Sequence, residues 1–318
     1  MSAVHGSRNL LDEWAVPAIG EGSAIHHSSV QAHLSLRADS PFRGSTVSTD
    51  LSARLPSGGT RVNNYPIKFG FRSGDRGTHG SRSILVGDLQ TLLTSVPSGA
   101  APEGYRAAIT EENVLGKGSA SLRQETWQKT RQLYGLDPKL AVFRCMRQMW
   151  DVDVSGQPVL AILCALARDP LLRITADVIL NTPAGAVVKR SEFANAVEKQ
   201  VPDRFQPVSL LAIGRRASSS WAQSGHLAGE RTLHRAHPGV TPETVAYALA
   251  LGRLTGARGP LLFSTLWTGI LDLPPEALFD FAAEASRRGW IDLRRAGSVV
   301  DVGFSRLLTP EETEALRE

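Results

Sequence analysis

From Arg82 onward, apolar residues recur at helical spacing and prolines fall where helices begin, a pattern that commits most of the chain to short packed helices. Ile84, Leu85, Leu89, Leu92, Leu93 and Val96 mark the first helix, stopped by Pro97. A second is expected from Pro102 to Glu112. A third begins around residues 119–121, where Ser121 and Gln124 have capping-box spacing, and ends at Gly135. Asp137-Pro138 supplies an N-cap and an N1 proline for a helix through Trp150, Pro158 opens another through Arg168, and Asp169-Pro170 opens one ending near Leu180. Residues 191–200 and 207–223 read as two more helices and Gly225 to Gly239 as a loop, before Thr241-Pro242-Glu243 starts a helix stopped by Gly256. Strands do not alternate with these helices, which argues against a doubly wound sheet or a barrel enzyme.

The period changes near the carboxy terminus. After a helix opened by Pro274-Pro275, with Leu278, Phe281, Ala282 and Ala285 on one face, Trp290, Asp292 and Arg294 alternate with Ile291 and Leu293. Ala296-Gly297-Ser298 then supplies a turn, and Val300, Val302 and Phe304 alternate with Val299, Asp301 and Gly303. A helix followed by a two-stranded hairpin with basic residues is the carboxy-terminal half of a winged-helix module.

Composition narrows the function classes. The 318 residues are 42% hydrophobic and 21% charged, as in a globular protein of about two domains. The longest unbroken apolar run, Val159 to Ala167, is far short of the roughly 18–20 residues that span a bilayer, so no membrane partner is expected and the chain reads as cytoplasmic. Residues 1–81 read as a disordered or loosely ordered extension, since the first 60 contain 20 Gly, Ser or Pro. Cys145 and Cys164 lie among apolar neighbours and read as core thiols.

No cofactor is expected. Gly116-Lys117-Gly118-Ser119 lacks the upstream glycine of a phosphate loop, Glu111 standing in its place, and reads as a break between helices. His226, His234 and His237 have no cysteine nearby and read as exposed or phosphate-contacting imidazoles rather than zinc ligands. Asp137-Pro138-Lys139 has a nuclease-like spacing, but its proline cannot occupy a central strand. Neither Gly-x-Ser-x-Gly nor His-Glu-x-x-His occurs, and the chain reads as non-enzymatic.

Basic clustering is the remaining lead. Residues 116–150 hold seven basic side chains (Lys117, Arg123, Lys129, Arg131, Lys139, Arg144, Arg147) against Glu125 and Asp137, a local excess of +5 in a chain whose net charge is +4. Arg287, Arg288, Arg294 and Arg295 surround the expected wing. Cations so placed contact phosphates without reading sequence. The helix before the wing turns Glu276, Asp280 and Glu284 outward, which argues against base reading by that helix.

The order of phrases resembles the BrxA family of bacteriophage exclusion (BREX) systems. The residues that carry the resemblance are Ile109-Thr110-Glu111-Glu112-Asn113-Val114-Leu115-Gly116-Lys117, then Ala246-Tyr247-Ala248-Leu249 with Leu251, Leu266-Trp267 and Leu271. They close with Arg287-Arg288-Gly289-Trp290-Ile291-Asp292-Leu293-Arg294-Arg295-Ala296-Gly297, so the match spans residues 83–306. The resemblance implies a non-enzymatic helical protein, similar to the antitermination factor NusB, that binds DNA in anti-phage defence beside a methyltransferase and ATPases. The inner-membrane label that family has carried conflicts with the short apolar runs of this chain.

The expected fold is therefore mainly α. A NusB-like helical bundle at 82–200 precedes a second helical domain at 201–308 with a winged-helix-like β-hairpin, and 309–318 forms a tail. The expected function is docking on double-stranded DNA through Lys117, Arg123, Lys129, Arg131, Arg287, Arg288, Arg294 and Arg295. The alternative is an adaptor that holds a partner protein and does not contact nucleic acid.

Overall fold

Prolines and capping side chains open most of the helices, as their positions predict. The computed structural model describes residues 65–297 and 299–317. It places α1 at Val86–Ser95, α2 at Pro102–Thr110, α3 at Ala120–Tyr134, α4 at Ala141–Trp150, α5 at Gln157–Arg168, α6 at Pro170–Ile174 and α7 at Ala176–Leu180. After β1 (Val187–Val188) come α8 (Arg190–Gln200), α9 (Pro207–Gln223), β2 (Leu227–Ala228), β3 (Leu233–Arg235), α10 (Pro242–Leu254) and α11 (Leu266–Gly269). The chain closes with α12 (Pro275–Arg287), β4 (Asp292–Ala296), β5 (Val299–Gly303) and α13 (Pro310–Ala315). The protein is mainly α, with a small β-hairpin near its end.

Several boundaries move for local reasons. Ser119, not Ser121, caps α3, its side chain accepting the Leu122 N–H at 3.2 Å. Asp137 accepts the Lys139 N–H at 2.9 Å, which makes a turn there and delays α4 to Ala141. The helix opened by Asp169 breaks at Thr175, whose hydroxyl bonds the Leu172 carbonyl at 2.6 Å and accepts the Trp221 indole N–H at 2.9 Å. The expected loop at 225–239 contains two short strands, and β3 lies between β1 and β2 in an antiparallel sheet.

Residues 65–81 also depart from the reading of 1–81 as a loose extension. Phe69, Phe71 and His79 are buried, and Phe71 packs with its ring centroid 5.7 Å from those of Tyr65 and Trp267. Without a helical or alternating pattern, this packing leaves no periodic trace in the sequence. The rest of that segment, 1–64, lies outside the described residues.

The core is organised around α5 and α10, each buried on nearly every face, as a helix apolar all round must be. Helices α3 and α4 cover α5, while α4, α11 and α12 pack on α10, so one continuous apolar core runs from Phe69 to Leu308. The division expected at residue 200 runs between α8 and α9, which pack against each other, and the described residues belong to one compact unit. Among them no helix is long and apolar enough to cross a membrane.

Candidate nucleic-acid interface

Folding spends part of the arginine excess inside the molecule. A helix leaves its last carbonyls without partners, and a cation there offsets their negative end. Four buried arginines meet this need. Arg147 donates to the carbonyls of Leu93 and Val96 at the end of α1, at 2.9 and 3.0 Å. Arg168 donates to Gln132 at 3.3 Å and Arg131 at 3.4 Å at the end of α3, and to Gly70. Arg173 bonds the carbonyls of Leu166 and Ala167 at 2.7 Å as α5 closes, and Arg235 bonds that of Ile179 at 3.1 Å in α7. One of them had a local signal, since Arg168 directly follows the apolar run Val159 to Ala167; the others required knowing which helix ends meet.

Acidic partners take up several of the expected phosphate contacts. Lys117 pairs with Asp88 at 2.8 Å; outside the expected set, Arg144 also pairs with Glu312. Near the hairpin, Arg287 lies 2.6 Å from Glu284, while Arg288 bonds Glu284 at 2.8 Å and Glu243 at 3.0 Å. The hydrogen bonds from Arg288 and Arg287 hold the Glu284 carboxyl below its usual range. Lys117, Arg287 and Arg288 are thus engaged by carboxylates from other turns or helices. Of the outward acids on α12, Glu276 and Asp280 are exposed and Glu284 is half-buried in these ion pairs.

Arg123, Lys129, Arg131, Arg294 and Arg295 make no ion pair among the described residues. Arg123 and Lys129 are half-buried on α3, and Arg131 is exposed with its guanidinium 5.7 Å from the Trp127 ring centroid. On the hairpin, Arg294 stands opposite Asp301 in the β4–β5 register, and the Arg295 guanidinium sits 4.5 Å from the Phe279 ring centroid. Lys129 lines a small pocket with Arg82, Asp88, Ile84, Leu133 and Tyr134. Arg72, absent from the sequence reading, joins α3: with the Gln132 amide oriented to accept, its guanidinium donates two hydrogen bonds of 2.8 and 3.0 Å to that side chain.

Two buried polar constellations could be taken for catalytic ones. His79 Nδ1 lies 2.9 Å from Asp169 Oδ2, and its Nε2 lies 2.7 Å from Ser220 Oγ, the bonding order of a nucleophile relay. All three side chains are fully buried, and Ser220 Oγ also accepts the Ile84 N–H at 3.1 Å and lies 2.9 Å from the Arg216 carbonyl. Here the relay fastens residues 78–84 to α6 and α9. The second constellation corrects the expectation of an exposed His226. This residue is fully buried between the Ser224 hydroxyl and the Ile270 carbonyl, 2.8 Å from each, and burial lowers its pKa to about 4. His234 and His237 are exposed; His237 lies 2.7 Å from Asp272. Among the described residues no three His, Cys, Asp or Glu gather as a metal site. Both cysteines are buried, and burial pushes their thiols up to about 12.

Fold and surface together define a mainly helical protein with cations, on one helix and on the hairpin near its end, that make no ion pair among the described residues. In comparison with known proteins, the chain matches no family model and no curated sequence.

Proposed function

We propose that this protein is a non-enzymatic accessory subunit that docks on the phosphates of duplex DNA, working in the cytoplasm in a BREX-type anti-phage system beside a methyltransferase and an ATPase. One observation carries the docking part. Lys129, Arg131, Arg294 and Arg295 lack carboxylate partners among the described residues, although most other basic side chains near them are neutralised or buried. Unpaired surface cations release counterions from DNA when they meet phosphates, which gives affinity without sequence preference. The resemblance to the BrxA family supports the defence role and the choice of partners.

The test is replacement of Arg294 and Arg295 by Ala, with affinity for a labelled duplex followed against salt. Binding to every sequence should weaken alike, and the logarithmic salt slope should flatten by about one per lost contact. Unchanged affinity would remove the hairpin from the account.

A second reading, a protein adaptor, is favoured by one feature. Leu261 and Val299 are each 68% exposed, and Leu261 shares the segment Gly259–Ser264 with Phe263, whose ring stacks on Phe279 with centroids 4.1 Å apart. Exposed apolar side chains mark partner surfaces when they cluster. Absence of duplex binding at low salt would select this reading.

A further inference from the structure

We infer that Arg72 and Arg131, backed by the buried Arg168, form a seat for a phosphate group near the carboxy-terminal end of α3. The inference rests on the DNA-docking reading and names the place where a backbone phosphate is held most firmly.

Three observations carry it. First, no carboxylate pairs with any of the three arginines among the described residues, whereas Lys117, Arg144, Arg204 and Arg288 all have acidic partners. Second, the cluster is built and not merely crowded. Arg168 is fixed on the carbonyls of Gly70, Arg131 and Gln132, and Arg72 is fixed on the Gln132 side chain. The Arg72 carbonyl is in turn held by Arg173 at 2.9 Å. Third, Arg131 is exposed and Arg72 half-exposed, so both guanidinium groups can meet an anion from solvent. Arg168 reaches the Arg131 and Gln132 carbonyls and Arg72 reaches the Gln132 side chain, so all three arginines meet at one turn of α3.

The negative end of α3 does not oppose an anion here. Arg168 already engages the carbonyls of residues 131 and 132, and the Arg131 side chain lies back over Trp127, one turn away. Guanidinium groups suit phosphate oxygens, which accept paired N–H donors, and Arg72 and Arg168 are held by hydrogen bonds while Arg131 faces solvent.

The experiment uses the full chain with the variants Arg72→Gln and Arg131→Gln, alongside Arg131→Lys, which keeps the charge and loses the fork. Affinity for a labelled random-sequence duplex is measured from about 50 to about 200 mM salt, and thermal midpoints are read in inorganic phosphate and in chloride of equal ionic strength. Each Gln variant should bind the duplex roughly five- to tenfold more weakly with a salt slope lower by about one, and Arg131→Lys should recover the slope but not the full affinity. Phosphate should raise the wild-type midpoint above that in chloride, and the Gln variants should lose this gain. Variants that bind the duplex as the wild type does would overturn the seat while leaving DNA docking intact. If the wild type fails to bind duplex at low salt yet keeps the phosphate-specific gain, DNA docking falls and the seat stands as one for free phosphate.

Discussion

Asp169 shows how much one side chain can hold. It accepts the Leu172 N–H at 3.1 Å as the cap of α6, the His79 N–H at 3.0 Å, and the His79 imidazole at 2.9 Å, with no exposure to water. Removing one member of such a buried network strands the others, so Asp169→Ala should cost about 3–5 kcal/mol in urea unfolding. A loss of less than about 1 kcal/mol would show that the network is not a fastening. His226 gives a pH test with a defined sign. Its folded pKa is near 4 and its unfolded value is about 6.5, so within that window only the unfolded chain takes the proton. Its contribution to stability is therefore constant above about pH 6.5 and falls as the pH drops toward 4. The urea midpoint of the wild type should decline across this window, and that of His226→Gln should decline less. Equal declines would remove His226 from the account. At this scale the sequence was only partly legible. Cys145 and Cys164 were readable as core from their apolar neighbours, but nothing beside His226 or His79 announced burial, because their partners lie at Ile270, Asp169 and Ser220.

Among elements, the contact of α8 with α9 depends on a missing side chain. A Cβ on Gly214 would lie 2.6 Å from the Arg190 carbonyl oxygen and 3.1 Å from the Ala194 nitrogen, both backbone atoms that cannot turn aside. Gly214→Ala should therefore separate the two helices and cost about 1–3 kcal/mol, read as a lower thermal midpoint. A rise in the midpoint, the usual gain of Gly→Ala within a helix, would contradict this packing. The helices themselves were legible because their starts rest on local chemistry: Thr241 caps α10 and Asp169 caps α6 as their positions predict. The short strands were not. Two or three residues cannot display an alternating pattern, and β1 meets β3 across a sequence gap that no local rule spans. Thr175, which divides α6 from α7, is explained only by the Trp221 that reaches it from α9.

At the scale of the whole molecule, the question is where the positive charge remains once the chain has folded. Clustering along the sequence pointed to both basic regions, and Arg131, Arg294 and Arg295 within them are exposed in the fold. It could not reveal that Asp88 meets Lys117, that Glu243 meets Arg288, or that Arg147 lies inside the core, because neutralisation depends on elements distant in sequence. The same packing brings Arg72 against α3 and concentrates there charge that has no carboxylate partner among the described residues. The central claim is that this residual charge docks on DNA, and its most direct test is titration of the purified wild-type chain into a labelled random-sequence duplex, followed by fluorescence anisotropy at several salt concentrations. The account predicts binding that falls steeply and linearly on logarithmic axes as salt rises, alike for unrelated sequences. No binding at low salt, or binding indifferent to salt, would contradict it.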